Sequence, residues 1–237
     1  MKQLVFNNII SSDLGIVVVE GSPEILTQEV YKKIDVEGRN GSLIVNQGYY
    51  KDIEKKFLLT TVEHFEEDEI PDMIQKVKDW LFNIEDSRLL YSHPDRYNIV
   101  KKVVTGDIKT SLEEYGDFEV TFICEPFYYA VEYEIESKET EMTLYNYGDF
   151  ESYPKIEIYG NAKNLMLNIN AQQMVINSVT NYIEIDSKLM IVRDKIGNKL
   201  MATTGEFPTL SKDENIITIT GVTDFEKVVI TPRTIYR

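Results

Sequence analysis

The chain has 237 residues, 43% hydrophobic and 27% charged, with a net charge of −15 and a single cysteine. That balance supports one large globular domain or two of ordinary size and excludes a chain disordered for want of apolar surface. The acidity argues against a grip on nucleic acid or an anionic membrane, which needs a Lys/Arg surface, and one thiol makes neither an intrachain disulfide nor a cysteine-based zinc site.

The opening stretch MKQLVFNNIISSDLGIVVV has no charged region leading into an unbroken apolar core, and no 18-residue apolar run follows. Synthesis as a soluble cytosolic protein is therefore expected. From Glu29 to Val36 the residues are β-branched and aromatic with partial alternation, which predicts a strand with one solvated face. Gly38-Arg39-Asn40-Gly41-Ser42 then predicts a tight hairpin turn leading into Leu43-Ile44-Val45, because Gly and Asn tolerate positive φ.

One helix is predicted from Ile70 to Phe82, where Ile70, Ile74, Val77 and Leu81 recur at helical spacing beside Trp80. Pro71 suits its first turn, and Asp68, Glu69 and Asp72 complement the positive end of its dipole. Strands are expected at Arg88 to Tyr91, Tyr97 to Ile108, and through Phe118 to Ile123 into Cys124-Glu125-Pro126-Phe127. Cys124 reads as a small buried hydrophobe.

An acidic connection follows, which places a domain boundary near residue 134. The first part, 1–134, carries 14 basic and 26 acidic residues, so most of the negative charge lies there. The second, 135–237, has no helical period. Strands at Lys155 to Tyr159, Leu165 to Ile169, Met174 to Ile176, Tyr182 to Asp186, Met190 to Arg193, Asn215 to Thr220 and Val228 to Thr231 indicate an antiparallel sandwich or jelly roll. Tyr159-Gly160-Asn161 and Ile196-Gly197-Asn198 are read as turns between them. The predicted fold is mainly β: an α+β N-terminal domain with one conspicuous helix, then a β-sandwich.

Catalytic chemistry finds little support. The chain has two histidines. His64, in His64-Phe65-Glu66-Glu67-Asp68-Glu69, reads as part of a solvated acidic flank before the helix, and His93-Pro94-Asp95 as a turn. No nucleophile elbow, phosphate loop or EF-hand loop occurs, and carboxylates are so abundant that no pair singles itself out. An enzyme is not expected, nor a cofactor or metal. Most of the fifteen tyrosines and ten phenylalanines, among them Tyr31, Tyr97, Phe118 and Phe122, lie in strand patterns and are expected to serve packing.

Particular motifs resemble the distal tail proteins of long-tailed bacteriophages. They are Gly38-Arg39-Asn40-Gly41-Ser42-Leu43, Trp80-Leu81, Ser92-His93-Pro94-Asp95-Arg96-Tyr97 and Cys124-Glu125-Pro126-Phe127 in the first half. In the second they are Asn146-Tyr147-Gly148, Tyr153-Pro154-Lys155-Ile156, Gly205-Glu206-Phe207-Pro208, Glu214-Asn215-Ile216-Ile217 and Val229-Ile230-Thr231-Pro232-Arg233. One departure is local: the family commonly has Gly-x-Asn where this chain has Asp213-Glu214-Asn215.

The resemblance implies a structural protein of the virion tail tip, made and assembled in the bacterial host cytoplasm. N-terminal domains would form a homo-hexameric ring, or two rings back to back, with galectin-like C-terminal sandwiches projecting from it. The ring would join the tail tube and tape-measure proteins to the tail-tip hub or tail-associated protein, with receptor-binding proteins as further partners. Neither specific nucleic-acid binding nor membrane contact is implied. Residues Gly38, Arg39, Asn40, Gly41 and Ser42 are the candidate oligomer interface. The alternative is a carbohydrate-binding module that recognises host surface polysaccharide.

Overall fold

A computed structural model of the chain describes residues 3–62, 69–106 and 116–237. His64 and its acidic neighbours up to Asp68 lie outside the described residues. The chain divides into two compact units, Met1–Tyr128 and Tyr129–Arg237. The architecture is mainly β with antiparallel sheets and one α-helix among the described residues, as the sequence predicts. None of the described helices is long and apolar enough to cross a membrane.

The first unit contains β1 (Val5–Phe6), β2 (Ile9–Ile10), a 3₁₀ turn (Ser11–Leu14), β3 (Ile16–Glu20), β4 (Glu29–Asp35), β5 (Ser42–Tyr50) and β6 (Ile53–Thr61). Helix α1 (Ile70–Phe82) follows, then β7 (Arg88–Leu90), β8 (Arg96–Thr105) and β9 (Asp117–Cys124), and β10 (Tyr128–Ala130) leads out of the unit. Its main sheet has the order β2-β1-β7-β8-β9-β6-β3. Strict alternation in β6 and β9 points Ile53, Phe57, Leu59, Phe118, Val120, Phe122 and Cys124 into one core.

The helix adds Met73, Val77, Trp80 and Leu81 to that core. The inward stripe is thus rotated from the predicted one: Ile70 and Ile74 are only half-buried, and Met73 takes the central place. Trp80 sets the rotation, because its indole N–H must reach the carbonyl of Phe6, 3.0 Å away. Two features of the N-terminus carry no usable sequence period. Asn7 and Asn8, both at positive φ, turn β1 into β2, and Asn7 then closes the helix end. Its amide donates to the carbonyls of Trp80 and Asn83, and its Oδ1 accepts the N–H groups of Glu85 and Asp86.

One inward position of β6 is a lysine. Lys55 is 3% exposed, and its ammonium donates to the Tyr128 hydroxyl at 2.6 Å. Burial lowers its pKa to about 8, against partial compensation from neighbouring negative groups, and burial raises that of Tyr128 to about 12. Between pH 8 and pH 10 the unfolded Lys55 holds a proton that the folded one has lost, so folding is favoured as pH rises. The stability of wild type relative to Lys55→Met is expected to climb by about 1.4 kcal/mol per pH unit across that window. Urea titrations at pH 7.5, 8.5 and 9.5 check this; parallel curves for the two proteins would refute the buried charge.

The second unit contains β11 (Ile135–Ser137), β12 (Glu141–Asn146), β13 (Lys155–Ile169), β14 (Gln172–Val179), β15 (Tyr182–Asp186) and β16 (Ile191–Arg193). After a 3₁₀ turn (Leu200–Ala202) come β17 (Thr203–Gly205), β18 (Asp213–Thr231) and β19 (Ile235–Tyr236). Two long strands, β13 and β18, run antiparallel from Lys155↔Thr231 to Ile169↔Ile217 and are shared by two sheets. At one end they lie in the order β11-β18-β13-β15-β16, at the other β12-β18-β13-β14-β17. Ile156, Ile158, Ile183, Ile185, Val228 and Ile230 of the first sheet share one core with Leu144, Leu165, Leu167, Ile169, Ile176, Ile217 and Ile219 of the second. That is an antiparallel β-sandwich.

Here the sequence reading needs correction. Tyr159-Gly160-Asn161 is not a turn: β13 continues through it, with register shifts at Tyr159/Gly160, Asn161/Ala162 and Ala162/Met166 that bend it from one sheet into the other. Gly160 is there because a Cβ would stand 2.0 Å from the Asp224 carbonyl of β18. The two strands expected at Asn215 to Thr220 and Val228 to Thr231 are likewise one bent strand. Ile196-Gly197 is a turn, as expected, with both N–H groups held by the Asp194 carboxylate.

Candidate interaction surface

Strands β4 and β5 form a sheet of their own, paired with each other and with no other strand among the described residues. Their register runs Lys32↔Val45, Lys33↔Ile44, Ile34↔Leu43, Asp35↔Ser42. The connection is longer than a tight hairpin. Val36 to Gly41 make a six-residue loop in which Arg39 N–H bonds the Val36 carbonyl, with Gly38 and Gly41 at φ +79° and +81°. At the base the register shifts between Glu29 and Tyr31, where Gly48, at φ +73°, donates its N–H to Glu29. Tyr50 packs edge-on against Phe127 and anchors the ribbon.

Cross-strand partners share a face, so Ile34, Leu43 and Val45 stand together on one side, with Lys32, and Val36 follows them at the start of the loop. The other side holds Tyr31, Ile44, Lys33, Asp35, Asn46 and Ser42. Neither side is covered by other described residues: Ile34, Leu43 and Val45 are 37% to 40% exposed, and Val36, Tyr31 and Ile44 are more so. This corrects the expectation that Tyr31 packs within its own fold. A two-stranded ribbon is marginal in water, and one that shows an apolar face to solvent is a surface built to lie on something else. The sequence-derived residues Gly38, Arg39, Asn40, Gly41 and Ser42 sit together at its tip, whereas the apolar side chains stand on the strands behind it.

The chemistry-bearing residues named earlier do not converge. His93 lies in a turn, its Nε2 3.1 Å from Glu24 and its ring edge-on to Tyr128. Cys124 is fully buried, and burial drives its thiol up to about 12, far from a thiolate at neutral pH. In the second unit Glu157 and Glu184 face each other across β13 and β15, but Tyr182, Lys155 and Arg193 engage them in a closed network of contacts between 2.7 and 3.1 Å. No cluster of three or more His, Cys, Asp or Glu side chains among the described residues is arranged to hold a metal ion.

Asp213, where the resembled family commonly has glycine, stands at φ +70°. The position therefore needs left-handed backbone, which glycine adopts freely and aspartate at some cost.

No family model matches the chain, and no curated protein matches it by sequence. Among solved structures it is similar to the Dit (gp 19.1) protein of SPP1, described as a paradigm of the hub adsorption apparatus in phages that infect Gram-positive bacteria. The TM-score is 0.77, with 98% of each chain covered at 13% identity, a likeness of fold.

Proposed function

We propose that the chain is a structural distal tail, or baseplate hub, protein of a long-tailed phage. Six copies close into a ring through the first unit, and this ring, single or paired back to back, joins the tail tube and tape-measure end to the tail-tip hub and host-adhesion apparatus. The virion tail tip is its site of action and the host cytoplasm its place of assembly. The observation that carries this reading is the uncovered ribbon of β4 and β5 in a chain with the fold of SPP1 Dit. A closed ring needs a head-to-tail contact between two different surfaces, and a projecting ribbon with an apolar face supplies one of them. Its occupant in this reading is the neighbouring copy, with Gly38 to Ser42 reaching furthest.

Light scattering of the full chain at several concentrations and salt levels tests the proposal. A sixfold or twelvefold mass is expected. The double variant Ile34→Asp/Leu43→Asp is expected to stay monomeric while keeping the wild-type circular dichroism spectrum and a cooperative melting transition, lowered only by the loss of assembly, because the ribbon lies outside both cores. A wild-type protein that remains monomeric at high concentration, or a variant that still assembles, would overturn the ribbon as the ring contact.

A further inference from the structure

Asn40 is the one asparagine of the chain that is followed by glycine. An asparagine side chain is an electrophile within reach of its own main chain: attack on Cγ by the amide nitrogen of the next residue closes a five-membered imide. A Cβ on that next residue crowds the approach, so a following glycine leaves the reaction least obstructed.

The ribbon tip keeps the pair open. Asn40 and Gly41 are both exposed, and nothing lies within 4 Å of where a Cβ on Gly41 would stand. Among the described residues no hydrogen bond engages the Asn40 side chain or the Gly41 N–H. Nor is the pair locked as the centre of a type I′ turn, which needs positive φ at both residues: Gly41 is left-handed at φ +81° and Asn40 is not. Asparagines with small successors elsewhere are restrained. Asn161, before Ala162, lies in β13, and its Oδ1 accepts the Asn181 N–H. Asn170, before Ala171, donates its amide to Asn215 and accepts the Ile216 N–H. Asn177, before Ser178, lies in β14, where Ser178 pairs with Lys163.

We propose that Asn40 is a site of spontaneous deamidation, with the Gly41 nitrogen as nucleophile and water as the only co-reactant. Hydroxide takes the Gly41 N–H proton and the N–Cγ bond forms. The Cγ–Nδ2 bond breaks, and the leaving nitrogen takes a proton from water to depart as ammonia, which regenerates hydroxide. Water then opens the succinimide at either carbonyl. One opening leaves aspartate at position 40, the other isoaspartate, whose main chain runs through Cβ and Cγ and is one carbon longer. Both products set a carboxylate beside Arg39 at the ribbon tip. The consequence for assembly rests on the ring reading above: a free copy ages at its tip, whereas a tip seated on a neighbour is shielded and held still.

The full chain is incubated at 37 °C at pH 7 and pH 9, one set diluted below the assembly range and one concentrated, then digested at mildly acidic pH with a lysine-specific protease. A gain of about 1 Da at Asn40 of the 34–51 peptide is expected within days, faster at pH 9. It should be at least about tenfold slower in Gly41→Ala and absent in Asn40→Gln, whose side chain would have to close a six-membered ring. Concentrated protein should convert several-fold more slowly than dilute. Aged dilute wild type should fail to regain the ring mass on reconcentration, while aged Asn40→Gln keeps the mass it has when fresh. An unmodified Asn40, or conversion no faster than at Asn161, Asn170 and Asn177, would overturn the site. Equal rates in dilute and concentrated rings would overturn the shielding. Wild type with no ring mass at any concentration would overturn the ring reading and the shielding with it, while the peptide mass still decides the chemistry at Asn40.

Discussion

Trp80→Ala is expected to lower the unfolding free energy of the first unit by about 3–5 kcal/mol. The ring is 1% exposed and is the largest side chain fully buried in that core, where it lies with Phe6, Met73, Val77 and Leu81. Truncation loses its transfer free energy and leaves a cavity that flanking strands cannot close. It also removes the donor to the Phe6 carbonyl, the bond that ties the helix to β1. Scanning calorimetry of the full chain provides its own reference, because the second unit is untouched. The transition of the first unit should fall by at least about 10 °C while the other stays in place. A loss under 1 kcal/mol would mean that the helix is not fixed to the sheet through this residue.

A comparable effect is expected in the second unit from Arg233→Ala. Asp186, at the end of β15, is nearly fully buried, and Arg233 grips its two carboxylate oxygens at 2.7 and 2.8 Å while Leu189 N–H adds a third bond. Burial opposes ionisation of Asp186, yet the guanidinium fork and the backbone N–H outweigh it and hold the carboxyl below the usual range. Removing the arginine strands a buried charge, at a cost of about 3–5 kcal/mol, whereas replacing both partners by apolar residues of similar size should be close to neutral. The pH dependence follows the same logic. Stabilisation from the pair is complete above the ordinary aspartate pKa of about 3.9 and is lost as pH falls through the lower folded value. Wild-type stability should therefore drop towards pH 3 more steeply than that of Arg233→Ala, and equal slopes would refute the pair.

The parts of this fold that were legible in the sequence are those with a long, clean period. The helix from Ile70 to Phe82 and the strand at Tyr182 to Asp186 coincide with their predicted limits. What escaped was set by tertiary contact. The β1–β2 hairpin is too short to show alternation, and its Asn7-Asn8 turn gains its meaning from a helix end more than seventy positions away. Gly160 and Asn161 look like a turn in one dimension because a bulge and a turn use the same residues. The Gly38 to Ser42 loop was visible as a turn, but the apolar face behind it was not: Ile34, Leu43 and Val45 read as ordinary strand residues until their register puts them on one face and their exposure shows that nothing in the described structure covers it.

The central position of β18 bears on how the protein is made. Ribosomes deliver residues in order, at about 5–20 per second, and a domain emerging on the ribosome can fold only with the strands already released. Ile156 and Ile158 pair with Ile230 and Val228, so about 70–75 residues must be added after them before their partners exist. For about 4–15 s of synthesis the nascent second half carries isoleucine-rich edges with no neighbour on that side, while the first unit is already free to close. Chaperone demand during production should thus be concentrated late in translation, and slow codons placed after Ile169 would lengthen the interval in which nascent chains can misassociate.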